Sequence, residues 1–392
     1  MLPLILALQL ASFPNKPWAR HTIDSTSRGA DGVKLVDVNT DGRPDVVTGW
    51  EQAGVVRVYF NPSRVDSRSP WPRVQVGSVA SPEDALLVDL DGDGSFDVVS
   101  SCEGGTRAMF VHWAPSDPDR YWNDPSWTTS PVPATIGLQQ WMFAMPMQVD
   151  GRNGVDLIAG GKNEGGSIGW LRAPPKPRDL PAWQWNPLRP VGWLMSIILA
   201  DMDGDGDQDI LFSDRRGPRR GVHWLENPGT SADQSKPWAE HTIGDTRGDQ
   251  VMFVDYADFD GDGQRDVVAA VKPNEVHAHL RRGRNGRNWE TIVIPVEVQA
   301  GTAKSVKIAD VDLDGLVDIV ISNEQAAGDR RGVYYLSRKD GKWLAYDISG
   351  AAGVKFDLVE MVDLDGDNDL DVLTTEEVDG LGVVWYENPN GR

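Results

Sequence analysis

The nine residues Asp201-Met-Asp203-Gly-Asp205-Gly-Asp-Gln-Asp209 put carboxylates at positions 1, 3, 5 and 9 of one short turn. Such a set suits a hard cation that takes six to eight oxygens in irregular geometry, which is calcium, with glycine at position 6 permitting the sharp bend. The turn recurs. Its candidate ligands are Asp37, Asn39, Asp41 and Asp45; Asp89, Asp91, Asp93 and Asp97; Asp201, Asp203, Asp205 and Asp209; Asp258, Asp260, Asp262 and Asp266; Asp310, Asp312, Asp314 and Asp318; and Asp363, Asp365, Asp367 and Asp371. An EF-hand needs a bidentate Glu at position 12, but that position holds Thr48, Ser100, Phe212, Ala269, Ile321 and Thr374. A plain Asp-Gly hairpin turn is the alternative for one copy. For six copies it fails, because packed carboxylates repel unless a cation compensates. About six structural Ca²⁺ sites are expected.

A seventh, degenerate copy runs Gln148-Val-Asp150-Gly-Arg152-Asn-Gly-Val-Asp156. Arg152 stands where a ligand belongs, so its guanidinium is expected to replace the ion by pairing with Asp150 or Asp156. In the last copy Asn368 replaces the usual glycine, which the left-handed tolerance of Asn allows.

Each turn lies between short apolar runs, such as Leu86-Leu87-Val88 before and Val98-Val99 after. A third run follows (Gly54 to Phe60), then one led by tryptophan: Trp71, Trp127, Trp183, Trp289, Trp343 and the near-identical Lys16-Pro-Trp-Ala-Arg-His-Thr-Ile23 and Lys236-Pro-Trp-Ala-Glu-His-Thr-Ile243. Period-two alternation with Gly, Asn and Asp turns predicts strands. Seven units of four strands predict an all-β, seven-bladed β-propeller over residues 13–392. The chain begins with an orphan fourth strand and ends after a third, so residues 17–24 are expected beside 381–387, closing the ring.

This loop between apolar strands, repeated at this period, resembles the FG-GAP/VCBS repeat family, which includes integrin α-subunit propellers and many secreted bacterial propellers. The resemblance covers the chain after residue 13, although the Phe-Gly dipeptide is absent ahead of the loops. It implies calcium on the face carrying the loops and ligands on the opposite face. Some propellers of similar repeat type carry out β-elimination or dehydration on sugars.

Counting from each loop locates that opposite face. Six residues after position 9 stand Glu51, Glu103, Lys162, Arg215, Lys272, Glu324 and Glu377. Six residues before position 1 stand Asp31, Glu83, Met142, Met195, Met252, Lys304 and Asp357. In both series blades three to five differ from the rest, and Trp141 and Trp193 join the Met-bearing arc. The expectation is a funnel mouth with an acidic half, able to hold a further divalent cation, and a basic half with apolar walls. There Trp and Met would stack on sugars while Lys162, Arg215 and Lys272 take carboxylates. A solvated rim with packed Met and Trp is the plainer alternative.

The six histidines fall in third and outer strands, where structural roles are expected, and no Ser-His-Asp order, HExxH or phosphate-cradling loop is present. The formal net charge is −21, but the ligand positions of the seven loops hold 25 of the 59 acidic residues. The acidity is therefore mostly ion-binding equipment, and with no basic stripe a nucleic-acid partner is excluded. One cysteine, Cys102, rules out a disulfide framework. The apolar run Leu2 to Leu10 before Ala11-Ser12 is too short to span a bilayer and suggests a signal peptide over residues 1–12. Taken together, these features predict an exported monomer, secreted, periplasmic or on the cell surface, that binds calcium and presents a face to carbohydrate or protein. A carbohydrate-active lyase or dehydratase working in the funnel is the alternative.

Overall fold

A computed structural model describes residues 13–391 except 245, 247 and 297, so the leader expected at residues 1–12 lies outside the described residues. Seven four-stranded antiparallel sheets stand around an axis. In the first blade the strands are Ala30–Val36, Asp45–Trp50, Val55–Tyr59 and Arg73–Ser78, from the axis outward. In this blade the second strand is buried throughout, whereas the outer strand alternates with the pleat. The seventh blade combines Phe356–Val362, Asp371–Glu376 and Gly382–Glu387 with the N-terminal strand Ala19–Asp24, in the register Ala19 to Glu387. The expected closure is therefore the observed one. Among the described residues, no helix is long and apolar enough to cross a membrane.

The core is distributed. Each of the seven interfaces between neighbouring blades has its own apolar cluster. The closing interface, where Ile23, Leu373 and Trp385 meet Val46, Trp50 and Tyr59, is built like the others.

The tryptophans of the repeat act as latches. On the side carrying the acidic turns, the connection from third to outer strand leans onto the preceding blade. One of its carbonyls accepts two indole N–H groups: Ser67 from Trp71 and Trp385, Gln234 from Trp238 and Trp170, Gly286 from Trp289 and Trp224. A buried indole must find an acceptor, and here one peptide group satisfies two blades.

Four of the six histidines are held in structural contacts. His21 bonds Glu387 at 2.7 Å and packs on Trp385; His241 bonds Glu226 at 2.6 Å and packs on Trp224. The Pro-Trp-Ala-x-His-Thr-Ile phrase thus does the same job in the closing blade as in the fourth. His112 and His279 lie against Gly77 and Gly244 of the preceding blade's outer strand, where no Cβ would fit. Burial pushes both imidazoles down to about 3. A depressed histidine stabilises the fold above its unfolded value of about 6.5, and that stability is lost as pH falls below it. Between pH 7 and 5 each should cost roughly 2 kcal/mol. A His112→Gln variant followed by denaturant unfolding should therefore lose less stability than wild type over this range, and an identical slope would refute the assignment.

Candidate functional site

All seven acidic turns share one backbone conformation, with positions 4 and 6 in the left-handed region. Position 6 has φ between +59° and +97°, Asn153 and Asn368 included, and position 4 is glycine except at Thr40, Asn's neighbour in the first turn, and Leu313. This curl lets the position 1 carboxylate accept the position 6 N–H, as Gly206 donates to Asp201 at 3.1 Å and Gly263 to Asp258 at 2.9 Å. The position 9 aspartate is buried and braces the turn. Asp209 accepts from Met202 N–H at 2.7 Å and from Asn227 N–H, beyond the third strand, at 2.8 Å. Asp156 does the same in the degenerate turn, so this staple is independent of the other ligands.

The remaining oxygens converge. Ligand atoms of Asp89, Asp91 and Asp97, of Asp201, Asp203 and Asp209, and of Asp258, Asp260 and Asp262 lie within 4.8 Å of one another. In the sixth blade Asp312 Oδ1 and Asp318 Oδ1 are buried without a hydrogen-bond donor. Burial, with neighbouring carboxylates adding to it, pushes Asp97 and Asp209 up to about 7. All-oxygen donor sets with orphaned lone pairs and excess negative charge fit a calcium ion.

In the third turn the pairing is corrected. Arg172, at the end of the third strand, forms an ion pair with Asp150 at 2.7 Å, while the Arg152 guanidinium pairs with neither aspartate. Arg172 arrives from a folded strand that already points at the turn, and one guanidinium there balances one free carboxylate. Elsewhere a single exposed cation faces several, as Arg282 does at Asp260 (2.8 Å) and Asp262 (3.6 Å).

On the opposite face the two counted series meet, and the inner one has a common cause. In six blades its member (Glu83, Met142, Met195, Met252, Lys304 or Asp357) falls in the β-bulge of the inner strand, and Asp31 borders the bulge in the first. A bulge re-aims a side chain, and repeated seven times it gathers these residues at one level.

The separate basic half is not what the structure contains. Lys162 binds Glu103 and lies 3.8 Å from Glu83; Lys272 binds Glu324; Lys304 binds Asp357 at 2.7 Å and Glu377 at 3.3 Å; Lys355 also binds Glu377. Apart from the pairing of Lys355 with Glu377, each pair bridges two adjacent blades. Sign segregation around the ring becomes alternation where blades touch. Arg215 donates to Gln250 at 2.6 Å.

The acids outnumber these lysines, and carboxyls press on each other: Asp31 on Asp357, and Glu51 and Glu83 on Glu103. Burial, reinforced by Glu377, Asp357 and Glu83, raises the Asp31 carboxyl well above its ordinary range, and burial likewise raises Glu83. Asp357 is buried too, yet Lys304 holds it well below that range.

Among the aromatic and Met candidates, Trp141 is internal, donating to Thr135 O at 3.0 Å, and Met195 and Met252 belong to an interface core. Met142 is buried. Trp193 is half-buried, with Lys162, Arg215 and Arg216 over its ring at 4.4, 4.5 and 4.4 Å. Beside it the loop 214–220 carries four arginines and borders a cavity of about 640 Å³ lined by Arg219, Arg220, His223 and Glu240.

A second cavity of about 580 Å³ occupies the axis itself and draws its lining from all seven blades. Its apolar wall includes Phe143, Met145, Ile198 and Phe253. Its charged wall holds Lys34 with Asp84 (2.5 Å) and Lys307 with Glu360 (3.0 Å), and Asp255, behind the lining, lies 3.7 Å from Lys307. Sequence reasoning missed these residues. The signal was available three residues before position 1, where the series reads Lys34, Leu86, Met145, Ile198, Asp255, Lys307 and Glu360.

The FG-GAP-like repeat family model matches residues 37–100, 201–269, 258–321 and 310–374. Two solved structures share the fold across nearly their whole length. A crystal structure of BBS1N in complex with ARL6DN, soaked with mercury, superposes with a TM-score of 0.50 at 10% identity, covering 95% of this chain and 99% of that one. The same complex soaked with lead gives 0.52 at 9% identity, covering 94% and 98%. No curated protein matches in sequence.

Proposed function

Because the chain belongs to the FG-GAP-like repeat family, we propose that it is a calcium-braced propeller serving as a protein-interaction scaffold, exported to a calcium-rich compartment. Its partner docks on the face away from the acidic turns. The observation that carries this reading is the rim of blades three and four, where Trp193 lies under three cations and exposed Arg216, Arg219 and Arg220 stand beside it. Trp and Arg are the residues that dominate protein–protein hot spots, and this cluster is basic on an otherwise acidic molecule, which suits an acidic segment of a partner. The fold neighbour BBS1N is itself described in complex with a protein, ARL6DN.

Carbohydrate is the less supported ligand. Trp141 is internal, and the Trp193 ring is occupied by cations, so neither offers a free face to a sugar. The lyase alternative requires a base with a free lone pair; Glu103 and Glu377 are tied to lysines, which leaves the half-buried Glu51 as the mouth carboxylate available for that role.

The test is affinity capture from the native source in calcium buffer, comparing wild type, Arg215→Glu/Arg216→Glu and, as a control on the other face, the exposed Lys236→Glu. A partner retained by wild type and the control but reduced at least tenfold by the double variant is expected. Equal capture by all three proteins would refute the assignment of the face.

A further inference from the structure

We propose that the axial cavity binds a small organic cation, an alkyl- or arylammonium whose apolar body lies along Phe143, Met145, Ile198 and Leu358 and whose charge meets Glu360. The proposal rests on neither the arginine rim nor the ions of the turns. The cavity measures about 580 Å³. That is within the range of about 300–1,000 Å³ that small-molecule sites occupy, and like them it joins an apolar wall to a few converging polar groups. The four apolar side chains are partly buried members of the lining, so the surface they leave uncovered faces the space on the axis. An apolar ligand body removes that surface from water, which is favourable in proportion to the area covered.

The charge of the ligand follows from the other wall. Lys34 and Asp84 balance one another, and Lys34 also donates to the Ala144 carbonyl at 3.0 Å. Lys307 is one ammonium between two carboxylates, Glu360 at 3.0 Å and, behind the lining, Asp255 at 3.7 Å. The two acids differ in what they have left over. Asp255 Oδ2 accepts the Ile308 N–H at 2.9 Å. Glu360, whose side chain is 24% exposed within the lining, gives Oε2 to Lys307, and its other oxygen accepts no hydrogen bond among the described residues. Two lysines against three acids leave one negative charge, and a charge held away from bulk water needs a partner. Burial, with Asp255 beside it, raises the Glu360 carboxyl even though Lys307 acts against the rise. An ammonium would donate to the free oxygen and supply the missing charge. An anion would meet that carboxylate, and a metal ion would find carbon where it needs oxygens. The exposed Gln208 of the fourth acidic turn belongs to the lining, so the cavity opens toward the acidic turns, whose field draws cations to the entrance.

Isothermal titration calorimetry in calcium buffer tests this with phenylbutylammonium and two probes of similar body, phenylbutanol and phenylbutyrate. Wild type should bind the ammonium about tenfold more tightly than the alcohol, and the carboxylate not at all. Glu360→Gln, which leaves one acid for each lysine, should bind the ammonium and the alcohol alike and should melt at or above wild type. Ile198→Trp fills the apolar side and should weaken both probes. If its thermal midpoint shows that it does not fold, the Glu360→Gln comparison decides alone. Should the ammonium bind Glu360→Gln as tightly as wild type, it is held by the acidic turns outside the cavity. Should wild type bind none of the three probes, the axis holds water alone. Either result overturns the proposal, and neither would alter capture of a protein partner at the arginine rim.

Discussion

Excess chelator is expected to lower the thermal midpoint by well over ten degrees. Each turn that binds calcium only when folded adds about 2.7 kcal/mol at a hundredfold excess of ion over its dissociation constant. Six such turns give about 16 kcal/mol. An unfolding entropy of about 2.1 cal/mol/K per residue makes one degree worth about 0.8 kcal/mol in a chain of this length. The full set therefore corresponds to about 20 degrees, and half of it to about 10. Differential scanning calorimetry with and without chelator, at fixed pH and ionic strength, reads this directly. A midpoint that stays put would mean that the backbone N–H groups already meeting Asp37, Asp201 and Asp258 suffice to hold the turns.

The second large effect is expected at Lys304. Its ammonium is buried between Asp357 and Glu377, and those carboxylates raise it well above the usual lysine range even though burial works against the charge. Lys304→Met keeps the length of the side chain and removes the charge, stranding two acids that have side chains only 4% and 2% exposed. Breaking a buried pair by deleting one partner costs about 3–5 kcal/mol, which is about 4–6 degrees by the same entropy. Adding Asp357→Asn to that variant should restore a large part of the loss. Denaturant unfolding measures both, and a single variant within about 1 kcal/mol of wild type would show that Lys304 is not what compensates these acids.

The wheel was legible because its signals are local and repeated. Asp201 to Asp209 sets turn chemistry within nine residues, and the orphan strand before Asp24 could only complete the blade that ends at Glu387. The level of the mouth was legible too, because a bulge recurs at a fixed distance before each turn. The pairing there was not. Lys162 belongs to the third blade and Glu103 to the second, and a list of signs by blade says nothing about which charges face each other across an interface. Trp141 was misplaced for a related reason. It stands one residue before the bulge, where the side chain still points between sheets toward Trp185. The axial cavity escaped notice because Lys34 and Lys307 resemble the ordinary polar half of an alternating strand until all seven inner strands are set side by side.

The Arg172–Asp150 pair has a consequence for behaviour in calcium-poor surroundings. A blade whose counter-ion is part of its own chain cannot lose it by dilution, whereas its six companions, on the reading above, can. Depletion would then loosen the molecule unevenly, leaving the third sector as a fixed reference about which the others slacken. Fluctuation would be concentrated away from that sector, so the ambient ion level would govern where the molecule is pliable as well as how stable it is.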